Sequence, residues 1–340
     1  MQSPPSAKAP DPAQLLIGMY VKALRLDRGL TQLQAAEKLG IHASTLGRME
    51  QASVRLRLDV VERLLRCYQV PGNRIRPVHT LLDAGGSRCS DSMPGWSERL
   101  AACERQAAAV RVYSGRLIPP VLRTPAYAAA VLSAAPDDGE RAAAAARPPV
   151  SGQRLTVFLH EYALWPVSSD PAVLREQFAH LRQATAAGHT DIRIVLATAH
   201  APVGQGHTLS ELVFPHGHGP LYVVENDHAL YCTGADGGSG KRALLDALHT
   251  CAQPSRRTPD LLDAARERWL ARCVARIGRQ PQAPRRGRTG PQGDSPPPSA
   301  DDPVQRDPPP DGAPRSLSGP HRLPAVRSTH RPRRTRAAPA

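Results

Sequence analysis

The stretch from Gly29 to Glu50 constrains this chain more than any other, because it spells two short helices and the turn between them. Thr31 with Gln34 three residues on is a capping box, in which each side chain satisfies a backbone group left unpaired at a helix start. Gly40 ends that helix, since a residue without Cβ adopts a left-handed C-terminal backbone at little cost. His42 stands where the next helix needs a cap. Leu46 and Met49 then lie three apart and pack inward with Ile41 against Ala36 and Leu39, leaving Ala43, Ser44, Gly47 and Arg48 on the opposite face.

The flanking sequence extends this into a bundle. Leu16, Met19, Ala23 and Leu26 follow helical spacing from Ala13 onward, and Val60, Val61, Leu64 and Leu65 mark a further helix over residues 59–68, closed by Pro71-Gly72. A fifth helix is expected over residues 77–84. The expected fold is therefore a mainly α N-terminal bundle of about five helices over residues 13–84, preceded by a disordered, proline-rich leader over residues 1–12.

Gly, Ser and Asp over residues 85–95 read as a linker. An α+β domain with a small sheet is expected over residues 96–277. It opens with an alanine-rich, charged helix over residues 96–111, and Pro119-Pro120 forces an extended or turn path. Strands are expected over residues 155–159, 192–196, 221–225 and 229–232, with helices over 171–187, 241–251 and 259–277. Residues 278–340 are Pro, Arg and Gly with few aliphatic side chains, and read as a disordered basic tail.

The net charge of +14 is unevenly placed. Residues 1–80 hold 12 Lys/Arg against 6 Asp/Glu, and residues 279–340 hold 12 Arg against 5 Asp. Basic ends around a nearly neutral middle point to a polyanionic partner. The six cysteines show neither C-x-x-C pairs nor zinc-ligand spacing, and no apolar run is long enough to span a bilayer, so a cytoplasmic protein with no membrane partner and no metal is expected.

Paired helices of the Thr31–Glu50 kind form a helix-turn-helix, whose second helix enters the major groove while the first crosses the phosphate backbone. Double-stranded DNA is the expected partner. Thr31 caps the positioning helix, and Gln32 offers its amide or its backbone N–H to phosphate. Arg48 has the fork that matches the O6 and N7 acceptors of guanine. Ala43, Ser44, Thr45 and Gly47 complete the groove-facing set with small side chains, His42 is also expected on DNA, and Arg55 and Arg57 are expected on phosphate. One such module buries little surface, so a homodimer reading two half-sites is expected.

Other constellations read as structural. His200, His207, His216, His218 and His228 are irregularly spaced, with no cysteine or carboxylate to complete a ligand set. Glu161 and Glu225 lie at strand ends without a nucleophile nearby. The run Gly234-Ala235-Asp236-Gly237-Gly238-Ser239-Gly240-Lys241 departs from phosphate-loop spacing and reads as a flexible loop. No catalytic set and no cofactor are expected.

On these residues, and on Leu24-Arg25-Leu26-Asp27-Arg28-Gly29-Leu30-Thr31-Gln32 and Arg48-Met49-Glu50, residues 17–70 resemble the Xre/lambda-repressor-like family. The resemblance implies an inner ion pair between Arg25 and Glu50 that locks the first helix to the recognition helix. From Trp96 onward the chain is similar to the uncharacterised C-terminal domain of actinomycete regulators of the WhiJ-like type. That similarity rests on Ile118-Pro119-Pro120-Val121-Leu122-Arg123-Thr124-Pro125-Ala126-Tyr127, Leu159-His160-Glu161-Tyr162 and Val223-Val224-Glu225. It implies a transcriptional regulator of development or secondary metabolism and a small partner protein encoded nearby. The C-terminal domain would serve dimerisation, partner binding or signal sensing. The alternative is an antitoxin-like protein-binding module of a two-protein pair, with DNA binding as secondary autoregulation.

Overall fold

The computed structural model describes residues 11–134, 146–147, 150, 152–168, 170–199, 206–215 and 219–277. The expected leader lies outside the described residues up to residue 10, and the expected tail over 278–340 lies wholly outside them. Helices α1 (Pro12–Asp27), α2 (Gln32–Leu39), α3 (Ala43–Glu50), α4 (Leu58–Cys67) and α5 (Gly72–Ala84) form the N-terminal bundle. Asp11 caps α1, its Oδ1 accepting from Ala13 N–H at 2.8 Å, with Pro12 in the first turn where its missing N–H costs nothing. Helix α5 begins five residues earlier than the sequence implies and carries Pro77 in its interior, where that side chain is buried.

The spacing of α1 predicts one apolar stripe, yet Leu15, Leu16, Ile17, Met19, Tyr20, Val21 and Ala23 are all buried. A helix this apolar is covered over most of its circumference, although Leu26, expected in the stripe, is exposed near its end. Helix α1 packs on α3, α4 and α5, and also on α6 (Trp96–Glu104) and β1 (Arg88–Asp91). Residues 85–95 are thus not free linker. Strand β1 pairs antiparallel with β7 (Ala229–Cys232) at the edge of the sheet, Cys89 opposite Tyr231. The fully buried Arg99 donates from Nε and Nη2 to both oxygens of the fully buried Asp91 at 2.7 Å each, fastening α6 to this strand. One hydrophobic core runs from the bundle into the sheet.

The remaining strands are β2 (Ala109–Ser114), β3 (Arg154–His160), β4 (Thr190–Val195), β5 (Thr208–Val213) and β6 (Leu221–Glu225). Together they form an α+β fold on a seven-stranded sheet of order β1-β7-β6-β5-β2-β3-β4. Among the described residues only β2–β3 and β3–β4 are parallel pairs. The sheet exceeds the four expected strands because β1, β2 and β5 are specified by their neighbours. The helix expected over residues 96–111 stops at Glu104, and β2 begins at Ala109, held between β3 and β5. Val110, Val112 and Tyr113 suit a strand, and the alanine run before them hides where the helix ends.

Strand alternation builds two cores. Val110, Val112, Leu155, Val157, Leu221 and Val223 face the side shared with α6, α7 (Pro125–Ala134), α8 (Pro171–Ala186) and α10 (Thr258–Ile277). Tyr113, Phe158, Leu209 and Tyr222 face Leu245 and Leu248 of α9 (Gly234–Cys251). The glycine run expected as a loop is the first part of α9. A Cβ on Gly237 would come within 2.6 Å of Ser87 O, and one on Gly238 within 2.5 Å of the Tyr222 ring. Close helix-to-sheet approach, not flexibility, requires those glycines.

Candidate nucleic-acid interface

Helix α2 opens with a complete capping box. Gln34 N–H donates to Thr31 Oγ1 at 3.2 Å, and Thr31 N–H donates to Gln34 Oε1 at 2.9 Å. Gly40, at φ 64°, ends α2, and Ile41 N–H reaches back to Ala36 O at 3.1 Å. The chain reverses there and enters α3. His42 occupies the N-cap position, but its side chain makes no capping hydrogen bond, so the N–H groups at the start of α3 have no side-chain cap.

Beneath the turn lies an ion pair that fixes α3 to α1. Arg25 Nε donates to Glu50 Oε1 at 2.6 Å, and Arg25 Nη2 donates to Glu50 Oε2 at 3.0 Å. Arg25 is 5% exposed and Glu50 fully buried. Arg25 Nη1 also donates to Leu30 O at 2.6 Å, holding the α1–α2 loop. The hydrogen bond to Glu50 raises the Arg25 pKa further, against the pull of burial. Gly18 permits the contact between the two helices, because a Cβ there would meet Met49 O at 2.7 Å.

Gln32 joins this network. Its Nε2 donates to Glu50 Oε2 at 3.0 Å, so one N–H of the half-buried amide is held inside the motif. Gly47 is corrected with it. Spacing alone puts Gly47 on the free face, but it is buried under Gln32, and a Cβ would stand 3.3 Å from both terminal atoms of that amide. A side chain at this position would press on the amide that Gln32 turns toward Glu50.

Of the residues expected on DNA, Thr31, His42, Ser44 and Arg48 are exposed, and Ala43 and Thr45 are half-buried. Ser44 and Arg48, one turn apart, are the outward pair on α3. Arg55 is exposed beyond α3, while Arg57 is held in a two-point pair with Asp59, its Nη2 at 2.9 Å from Oδ2. Arg28 lies with its guanidinium 5.6 Å from the centre of the Tyr68 ring, at the base of the motif.

The other candidates fall apart as sites. Glu161 accepts from Ala197 N–H at 3.0 Å and pairs with Arg268, contacts that together hold its pKa below the usual carboxylate range. Glu225 pairs instead with Arg147 at 3.0 Å, so the two glutamates belong to separate networks. His200, His216 and His218 lie outside the described residues, and among the described residues no group of His, Cys, Asp and Glu is placed to hold a metal ion. Cys67, Cys89, Cys103, Cys232 and Cys251 are free thiols. Among the described residues no helix is long and apolar enough to cross a membrane.

Comparison with known proteins agrees with this division. Residues 16–78 match a family described as a helix-turn-helix domain, and residues 97–264 match a domain of unknown function, DUF5753. No curated protein sequence matches the chain. The chain thus carries a helix-turn-helix domain of the kind found in DNA-binding regulators, joined through a shared core to a DUF5753 domain.

Proposed function

We propose that the protein is a sequence-specific, double-stranded-DNA-binding transcriptional regulator acting in the cytoplasm. The observation that carries this reading is the outward face of α3. Its N-terminal turn is uncapped by a side chain, Ser44 and Arg48 are solvent-exposed, and its inner face is locked to α1 through Arg25 and Glu50. A helix held this way enters the major groove as a rigid unit. Arg48 then reads guanine, Ser44, Ala43 and Thr45 line the approach, and Thr31, His42, Arg55, Arg57 and the backbone N–H of Gln32 meet phosphate.

A homodimer on two half-sites supplies the selectivity one short reading face lacks. The C-terminal domain serves dimerisation, partner binding or signal sensing. The resemblance to actinomycete regulators supports a role in development or secondary metabolism and a small partner protein encoded nearby.

The test is selection of duplexes from a random pool by the full chain, followed by anisotropy titration of the recovered site. Arg48→Ala is expected to cost about 1–3 kcal/mol and relax preference at one base position. Equal weakening on every sequence would make Arg48 a phosphate contact, and no enrichment from the pool would end the reading.

A further inference from the structure

The chain between α3 and α4, residues 51–57, carries the exposed Arg55, whose guanidinium makes no hydrogen bond or ion pair among the described residues. Its neighbour Arg57 is held by Asp59. A connecting segment moves unless contacts tie it down, so the ties on this one decide where Arg55 points. Two are present. Leaving α3, Ala52 takes a left-handed conformation at φ 49°, and Ser53 turns back on the helix, its N–H donating to Arg48 O at 3.0 Å and its hydroxyl to the same oxygen at 3.1 Å. Leu56 N–H then donates to Oε1 of Gln14, in α1, at 2.6 Å, a contact between residues 42 apart in the chain.

The second tie acts directly on Arg55. A peptide unit is planar, so the N–H of Leu56 shares one rigid plane with the Cα and carbonyl of Arg55. Holding that N–H fixes the backbone from which the Arg55 side chain departs. The Leu56 side chain, 4% exposed, anchors the other end of the same unit. Gln14 is itself held in place, because it lies in the first turn of α1 between the fully buried Ala13 and Leu15. Asp11 closes that turn, Oδ1 accepting from Ala13 N–H at 2.8 Å and Oδ2 from Gly86 N–H at 3.2 Å.

We propose that Gln14 is a positioning residue for DNA binding: it holds the Arg55–Leu56 peptide so that Arg55 meets a phosphate of the duplex without the loop first having to be ordered. The entropy of ordering residues 51–57 is then lost on folding and no longer subtracts from the affinity. An arginine set on phosphate displaces about one counterion, so its contact is read in the salt dependence of binding. The inference deepens the DNA-contacting part of the proposed function and rests on that reading.

The experiment uses the full chain and the duplex recovered by selection, titrated by anisotropy from about 50 to 200 mM salt. Arg55→Gln is expected to weaken binding about three- to tenfold at the lower salt and to shrink the slope of log K against log[salt] by about 0.9. Gln14→Met keeps the length of the side chain and removes the acceptor, and is expected to shrink the slope by about half of that or more. Combined with Arg55→Gln, it is expected to weaken binding no further than Arg55→Gln alone, to within about twofold. Gln14→Glu retains an acceptor for Leu56 N–H, so in its background Arg55→Gln is expected to cost as much as in the unaltered chain. Should Gln14→Met not fold, Gln14→Ala replaces it. A merely structural Gln14 would lower Tm and leave the slope alone. A slope unchanged in Arg55→Gln or in Gln14→Met, losses that multiply in the double variant, or a Leu56 amide that exchanges unprotected in the DNA-free chain would each overturn the proposal. No enrichment of any duplex ends the DNA-binding reading and the proposal with it, whereas enrichment with a slope indifferent to Gln14→Met ends the proposal alone.

Discussion

Replacing Arg25 and Glu50 by methionine, singly and together, tests whether α3 is set by a buried charge pair. In Glu50→Met the guanidinium of Arg25, 5% exposed, keeps only Leu30 O, and the amide of Gln32 loses its acceptor. In Arg25→Met the fully buried Glu50 carboxylate keeps only Gln32 Nε2. Breaking a buried pair from one side costs about 3–5 kcal/mol, because the surviving charge is left without compensation. The double variant removes both charges at once and leaves the Gln32 amide as the main unsatisfied group, a cost of about 1–3 kcal/mol. The coupling energy is therefore expected to reach at least about 3 kcal/mol, the upper end for contacting residues. Urea unfolding of the full chain gives the totals, and amide hydrogen exchange across α1 to α3 shows whether the loss is local. Single substitutions costing under about 1 kcal/mol each, or additive effects, would refute the reasoning.

Three further outcomes follow from the geometry. Gly18→Ala places a Cβ 2.7 Å from Met49 O, a backbone atom that cannot turn aside, so α1 and α3 must part; a loss of about 1–3 kcal/mol in thermal or urea unfolding is expected. Gln69 ends α4 in a left-handed conformation at φ 54°, with Val70 N–H on Leu65 O at 2.9 Å, the place where glycine is usual. Gln69→Gly is expected to stabilise by about 0.5–1 kcal/mol, the left-handed strain exceeding the added chain entropy, and a lowered Tm would contradict this. Burial pushes the Glu104 carboxyl up to about 7 from an ordinary 4.5, despite the nearby Arg147. A raised folded pKa means that its contribution is fully present below about pH 4.5 and is lost as pH rises through about 7, a decline absent in Glu104→Gln and measurable by urea titration across that window.

Individual residues show how far the sequence was readable. Thr31, Gln34 and Gly40 act on backbone groups within a few residues of themselves, and their roles in the structure match the local pattern. Gly47 and Gln32 do not, since each has its position decided by Glu50, eighteen residues from Gln32, through a contact that periodicity does not encode. The same holds for β1, β2 and β5. Strand β1 is only four residues long and β2 follows directly on an alanine run, and it is pairing with β7, β3 and β6 that marks these segments out as strands. The ion pairs of Arg147 with Glu104 and Glu225 had no local signal, for the three residues come from separate stretches of chain.

By itself the sequence determined the helices around the turn at Gly40, the division into a helical start and an α+β body, and the basic character of both ends. Capping, spacing and charge are local properties, and they need no partner from elsewhere in the chain. Only the tertiary structure decided that α1 is a shared core helix, that residues 85–95 tie the bundle to the sheet, and which α3 side chains face outward. Those outcomes depend on buried ion pairs and close packing between distant segments, whose energies exist only once the chain has brought Arg25 to Glu50 and Asp91 to Arg99.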